Sequence, residues 1–167
     1  IASKKIKSNA NNIRNFVSKV SSRFYKHKPK NIIAVTGTNG KTSVADLFYQ
    51  LLSLNNIPVA SIGTLGIKYN NKVIKTGLTS PDTISIHRHL QNLKKNKIDN
   101  VIIEASSHGL IQNRLHHINF KAAIFTNFSQ DHLDYHKTMR AYFHAKLILF
   151  KKILSKNSKI ILDKTTK

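Results

Sequence analysis

The stretch Thr36-Gly37-Thr38-Asn39-Gly40-Lys41-Thr42-Ser43 sets two glycines ahead of a lysine and two hydroxyl side chains. These residue types, in this order, can hold a polyphosphate. A tight turn at a helix N-terminus offers successive backbone N–H groups, the lysine reaches the outer phosphates, and a hydroxyl ligates Mg²⁺. The spacing is not that of the G-x-x-x-x-G-K-[ST] loop, whose first glycine would fall at Val35. A strand-to-helix turn capped by a threonine is the plain alternative. What favours nucleotide binding is the setting, directly between the apolar run Ile32 to Val35 and an amphipathic segment.

Other polar groups follow apolar runs in the same way. Glu104 closes the run Val101 to Ile103 and leads into Ser106, Ser107 and His108, while Thr126-Asn127 leads to Asp131-His132. An ionised carboxylate at the end of a hydrophobic strand needs a partner, either a metal ion or a nearby lysine. Arg114 can grip a carboxylate or phosphate with two parallel hydrogen bonds, or lie in solvent as a loop arginine. Lys146, on spacing alone, reads as a solvated helix lysine. His132 and His136 are four residues apart but lack the glutamate of a zinc-binding H-E-x-x-H helix, so zinc is not indicated. His108, His116 and His117 read as loop residues.

These groups are useful only if the chain brings them together, and the hydrophobic pattern says how. Ile13, Phe16, Val17, Val20 and Phe24 recur at helical spacing before His27-Lys28-Pro29-Lys30 breaks the pattern. Ile32 to Val35 then reads as a buried strand. A helix is expected from near Lys41 to Asn55-Asn56, with Val44, Leu47, Phe48, Leu51, Leu52 and Leu54 as its apolar stripe. Val59 to Ile62 is a second strand. Ser80-Pro81-Asp82 predicts a helix start, with the Ser80 hydroxyl as cap and Ile86, Leu90 and Leu93 as the buried face. Strands are predicted at Val101 to Ile103, Ala122 to Phe125 and Ile160 to Leu162, with a helix from about Thr138 to Ile153 between the last two. Strands alternating with helices imply an α/β fold, a mostly parallel sheet with helices on both faces. Ligands of such sheets lie beyond the carboxyl ends of the strands, where the polar groups above fall.

Composition narrows the function classes. With 167 residues and 40% hydrophobic content the chain suits one domain with a two-sided core. No apolar run is long enough for a membrane span and no signal core is seen, so a cytoplasmic protein is expected. Zero cysteines exclude a disulfide framework and thiolate metal ligands. The net charge of +21 reads either as a solvated surface or as a basic face for phosphorylated ligands. The lysines are scattered and not interleaved with stacking aromatics, so no specific nucleic-acid partner is expected.

Five stretches together resemble the Mur ligases, most closely the MurE type: T-G-T-N-G-K-T-S, L-T-S-P-D-T, E-A-S-S-H-G-L-I-Q-N-R, T-N-F-S-Q-D-H-L-D-Y-H and A-Y-F-H-A-K. The resemblance runs from about Phe24 to Phe150, in the family's order. In that family the shortened glycine loop is the ordinary ATP-binding form. The resemblance implies a P-loop-like central domain over residues 31–167, preceded at 1–30 by the end of an N-terminal domain and a linker helix, with the C-terminal ligase domain absent. It implies ATP and Mg²⁺ as cofactors, and as partners UDP-N-acetylmuramoyl-L-alanyl-D-glutamate and an amino acid, diaminopimelate or lysine. The reaction would pass through an acyl phosphate on the D-glutamate carboxylate, in a monomer.

The same resemblance assigns residues. Gly37, Thr38, Asn39, Gly40, Lys41, Thr42 and Ser43 would bind the nucleotide. Thr42 and Glu104 would hold a first Mg²⁺, and His132 with Glu104 a second. Lys146 would carry a carbamate able to ligate or orient metal, which requires its amine to be neutral. Thr79, Ser80, Ser106, Gln112 and Arg114 would contact the acceptor. Lys41, Glu104, His132 and Lys146 would be the catalytic set. The sequence departs from the family's pattern at Leu78, where asparagine is frequent, and at Gln130, where arginine is.

Overall fold

The computed structural model describes residues 2–163. Helix α1 (Ala2–Phe24) precedes β1 (Asn31–Thr36), α2 (Lys41–Leu54), β2 (Val59–Gly63), β3 (Gly66–Tyr69) and β4 (Lys72–Ile74). Then come α3 (Thr83–Lys95), β5 (Asn100–Glu104), α4 (Ser107–Ile111), β6 (Ala122–Phe125), α5 (Leu133–His136), α6 (Met139–Ile148) and β7 (Lys159–Leu162). A π-helical turn, Leu149–Ile153, continues α6. The seven strands form one sheet in the order β4-β3-β2-β5-β1-β6-β7. β2, β5, β1, β6 and β7 run parallel, while β3 and β4 add an antiparallel hairpin at one edge.

The period of two in each strand explains the two cores. Ile32, Ala34, Ala60, Ile62, Val101, Ile103 and Ala123 face one side and pack with Ile86, Leu90 and Leu93 of α3, Leu110 of α4 and Leu149. Their neighbours Ile33, Val35, Ile102 and Ile124 face the other side and meet Val44, Ala45 and Phe48 of α2. Each buried strand is apolar on both faces because helices cover both. No helix among the described residues is long and apolar enough to cross a membrane.

The structure corrects several sequence expectations. Asp82, not Ser80, caps α3, its carboxylate accepting from the N–H groups of Ile84 and Ser85. Ser80 is drawn to the carboxyl end of the central strand β5, where its hydroxyl donates to the Glu104 carbonyl at 2.8 Å. On α2 the inner face is narrower than the apolar stripe, so Leu47, Leu51 and Leu54 are exposed. Ile13, Phe16, Val20 and Phe24 of α1 are also exposed. Its inward face carries Ser18 and Ser21, and Ser18 and Ser22 donate to the carbonyls of His116 and His117. Those carbonyls need donors, which apolar side chains could not supply. The helix expected to Ile153 is α-helical only to Ile148, and His108 lies on α4 rather than in a loop.

At the far edge, the described residues leave β7 without a partner on its outer side. Beside it lies an apolar groove of about 640 Å³ walled by Phe125, Phe128, Phe143, Phe150, Ile160 and Leu162. None of the glycine-turn residues, Glu104, His132 or Lys146 lines it.

Candidate active site

The loop between β1 and α2 is built by its two glycines. Gly37 has φ 148° and Gly40 φ 81°, conformations that side chains rarely adopt. A Cβ on Gly37 would also lie 1.9 Å from the Thr126 hydroxyl, so the loop after β6 packs directly onto this turn. That loop supplies further clamps. Thr38 N–H donates to the Asn127 carbonyl and Asn39 N–H to the Asn127 side chain, while the Thr126 hydroxyl donates to the Asn39 carbonyl. Gly40 is the N-cap of α2, and no side chain caps the helix. Its first-turn N–H groups are thus available to an anion. Ser43 lies on that first turn and is exposed.

Two lysines converge on one carbonyl of this loop. Lys41 Nζ lies 3.1 Å from the Gly37 oxygen and 2.7 Å from that of Thr38, and Lys146 Nζ lies 2.6 Å from the Gly37 oxygen. Lys146 is buried, 1% exposed, with its ammonium 4.3 Å above the Tyr142 ring. It is therefore not a solvated helix lysine. Burial, followed by the charge of Lys41, lowers its pKa to about 7. The Lys41 pKa is also lowered by burial, against the opposing pull of Glu104 and Asp131.

Glu104 ends β5 with a carboxylate that is almost fully buried. Among the described residues it pairs with no lysine or arginine. Its neighbours are hydroxyls and an amide: Thr42 Oγ1 donates to Oε2 at 2.9 Å, Thr64 Oγ1 to the same oxygen at 3.1 Å, and Thr64 N–H to Oε1 at 3.0 Å. Thr64 sits in the β2–β3 turn and was missed from sequence. Its role depends on the β2–β3 hairpin, whose second strand, Gly66–Tyr69, is too short to read from sequence. The available signal was Asn70-Asn71, both at positive φ, which turns β3 into β4.

A second group lies on the acceptor side. The Ser80 and Ser106 hydroxyls are 3.0 Å apart, and the Ser106 hydroxyl caps α4 by accepting from Gly109 N–H. Arg114 is not free in solvent. Its guanidinium donates to the Ser80 carbonyl at 2.7 Å and to the Gln112 side chain at 3.0 and 2.6 Å. Thr79 joins the first group through Thr64, with the two hydroxyls 3.1 Å apart.

Among the described residues no hydrogen bond or ion pair joins His132 to Glu104. The His132 backbone N–H bonds to Asp131 and its ring lies 3.5 Å from the same carboxylate, with the His108 and Tyr142 rings beside it. His136 turns away, its Nε2 2.9 Å from the Ser107 hydroxyl. Among the described residues no three His, Cys, Asp or Glu side chains gather as a metal-ligand set. The pair Thr42 and Glu104 still fits Mg²⁺, which takes one or two protein oxygens and completes its octahedron with water and phosphate. An unpaired buried carboxylate beside a hydroxyl is a donor set of that kind.

The fold and the site define a doubly covered α/β domain with a glycine-rich turn at the switch from β1 to α2. Within that class the chain belongs to the Mur ligase family: the model of the Mur ligase middle domain matches residues 35–167. It is 44% identical over 137 residues to UDP-N-acetylmuramoyl-L-alanyl-D-glutamate--2,6-diaminopimelate ligase of Leptospira interrogans serogroup Icterohaemorrhagiae serovar copenhageni (strain Fiocruz L1-130), covering 81% of this chain and 27% of that protein. The ligase of the same name from Rickettsia bellii (strain RML369-C) is 47% identical over 146 residues, covering 84% and 30%. A solved structure of a ligase of this name superposes with TM-score 0.74 at 30% identity, covering 89% of this chain and 36% of that one. The fold also matches Mycobacterium tuberculosis folylpolyglutamate synthase complexed with ADP, with TM-score 0.70, 17% identity, and coverage of 97% and 45%. The chain spans about three-tenths of the length of the curated relatives it matches.

Proposed function

We propose that this chain is the ATP-binding middle domain of a ligase that adds diaminopimelate to UDP-N-acetylmuramoyl-L-alanyl-D-glutamate. Residues 1–30 would be the end of a preceding domain and its linker helix, and 31–167 the middle domain of a cytoplasmic monomer. The observation that carries the reading is the Thr42–Glu104 contact at the foot of the glycine turn, with Lys41 on the same turn. It is supported by the names of the curated relatives.

In this reading Gly37, Thr38, Asn39, Gly40 and Ser43 cradle the phosphates and Lys41 leaves its loop carbonyls for the outer phosphates. Thr42 and Glu104 would hold one Mg²⁺ and His132 with Glu104 a second, and a carbamylated Lys146 would ligate or orient metal. The metal would neutralise charge between two anions, triphosphate and acceptor carboxylate. Thr79, Ser80, Ser106, Gln112 and Arg114 orient the acceptor, so that catalysis rests on positioning.

The test is an ATP titration of the natural chain and of Lys41→Ala, each with Mg²⁺ and with EDTA. Loss of a phosphate-bound lysine lowers affinity by tenfold or more, about 1.4 kcal/mol or above, and removing Mg²⁺ weakens the natural chain. Equal affinities in all four conditions would refute the assignment.

A further inference from the structure

Thr126 and Asn127 follow β6 as the other polar groups follow their strands, and the proposed function gives them no part. Both grip the backbone of the glycine turn at Asn39. The Thr126 hydroxyl donates to the Asn39 carbonyl at 2.6 Å and the Asn127 side-chain nitrogen to the same oxygen at 3.2 Å, while the Asn39 N–H donates to Asn127 Oδ1 at 2.9 Å. One orientation of the Asn127 amide sets its oxygen against an N–H and its nitrogen against a carbonyl; the flipped one loses both bonds. The two donors use both lone pairs of the Asn39 oxygen.

The Asn39 carbonyl and the Gly40 N–H belong to one planar trans peptide and point in opposite directions. Holding the oxygen against the loop after β6 therefore turns the Gly40 N–H away from that loop, and among the described residues it has no hydrogen-bond partner. Gly40, at φ 81°, has no side chain to fix this setting itself. From this we infer that Thr126 and Asn127 are positioning residues that aim the Gly40 N–H at a phosphate oxygen of the bound nucleotide. The inference rests on the reading of the glycine turn as a nucleotide site. The N–H groups of Thr38 and Asn39 are both engaged by Asn127, so these two residues serve the cradle through its shape. The Gly40 N–H joins the uncapped first turn of α2 as a donor. The bonds to Asn39 are exposed and add only modestly to folding, so their loss should be felt chiefly by the ligand.

The experiment uses the 167-residue chain labelled with ¹⁵N, titrated with Mg²⁺ and β,γ-methylene-ATP, and reads ¹H–¹⁵N spectra. In the natural chain the amide protons of Gly40, Thr42 and Ser43 are expected to move downfield, as donors to an anion do, while the Asn39 amide keeps its protection from hydrogen exchange. Thr126→Ala and Asn127→Ala should each weaken binding by about three- to tenfold and shrink the Gly40 shift at saturation. Thr126→Ser, which retains the hydroxyl, should keep both at natural values. A role in the fold alone would leave the Gly40 shift of the saturated chain unchanged. Gly40 at rest while Thr42 and Ser43 move would overturn the aiming alone, as would a full Gly40 shift in both alanine variants. If no amide of the turn moves, the nucleotide reading falls and this inference with it. Should an alanine variant fail to fold, the natural chain still decides through the contrast of Gly40 with Thr42 and Ser43.

Discussion

Gly63 lies so close to Glu104 that a Cβ at position 63 would stand 2.0 Å from the carboxylate oxygen Oε1. The end of β2 is thus shaped around a side chain of β5, its parallel neighbour. Gly63→Ala must displace either the strand or the carboxylate, an overpacking penalty of roughly 1–3 kcal/mol. It should lower the thermal midpoint and reduce the Mg²⁺-dependent part of ATP binding by at least about tenfold. Gly77→Ala, whose Cβ meets nothing within 4 Å but whose φ of 67° makes the change strained, is the control for ligand binding and not for the thermal midpoint. Unchanged Mg²⁺ dependence in Gly63→Ala would mean that the carboxylate position is immaterial.

Burial favours the neutral amine of Lys146, the form that the proposed carbamate requires. With a pKa of about 7 it is about half neutral at pH 7, against about one part in 2,500 for a free lysine. Incubation with ¹³C-bicarbonate should give a carbamate signal in the natural chain that Lys146→Met lacks. Stability carries the same signature without bicarbonate. The folded pKa is below the unfolded one, so the unfolded chain holds more protons between about pH 7 and 10.5, and stability rises with pH across that window. Denaturant midpoints of Lys146→Met should rise less steeply there.

His87 gives a second pH dependence, far from the glycine turn. It is fully buried on α3, and neither ring nitrogen has a hydrogen-bond partner. Burial first, then the charge of Lys28, lower its pKa to about 4; the His116 backbone offsets this in part and His117 adds to it. The folded state resists a proton that the unfolded state accepts. Stability should fall as pH drops from 6.5 to 4, by roughly 3 kcal/mol in all. His87→Leu should flatten that slope in urea titrations at pH 4, 5 and 6.5. An equal slope in both chains would assign the dependence to other groups.

Strands β1 and β5 were legible because they are buried on both faces and so read as unbroken apolar runs, Ile32 to Val35 and Val101 to Ile103, whereas β7 reads as an apolar run although it is exposed. Helix α3 was equally clear, since Ile86, Leu90 and Leu93 all face the core. The outward faces of α1 and α2 were not, because periodicity marks an apolar stripe without saying what covers it. The choice between Ser80 and Asp82 as cap was decided by a tertiary bond, the one from Ser80 to the Glu104 carbonyl. Motifs located the glycine turn, Glu104 and the Ser106–Arg114 stretch. Thr64 stayed hidden because its partners are 40 and 15 positions away and its hairpin is short.

The outer edge of β7 bears on how the chain behaves at high concentration. Ile160, Ile161 and Leu162 are each more than half exposed beside the aromatic groove, an arrangement that invites strand pairing between molecules. Mutual repulsion between copies at +21 charges each opposes that pairing. Sodium chloride at about 1 M shrinks the range of that repulsion to roughly 3 Å. Light scattering should therefore rise with salt, contrary to the usual behaviour of a protein held together by ion pairs, and Ile161→Lys should suppress the rise. The lysines that look like mere decoration on the surface are, in this view, the chain's colloidal stabiliser.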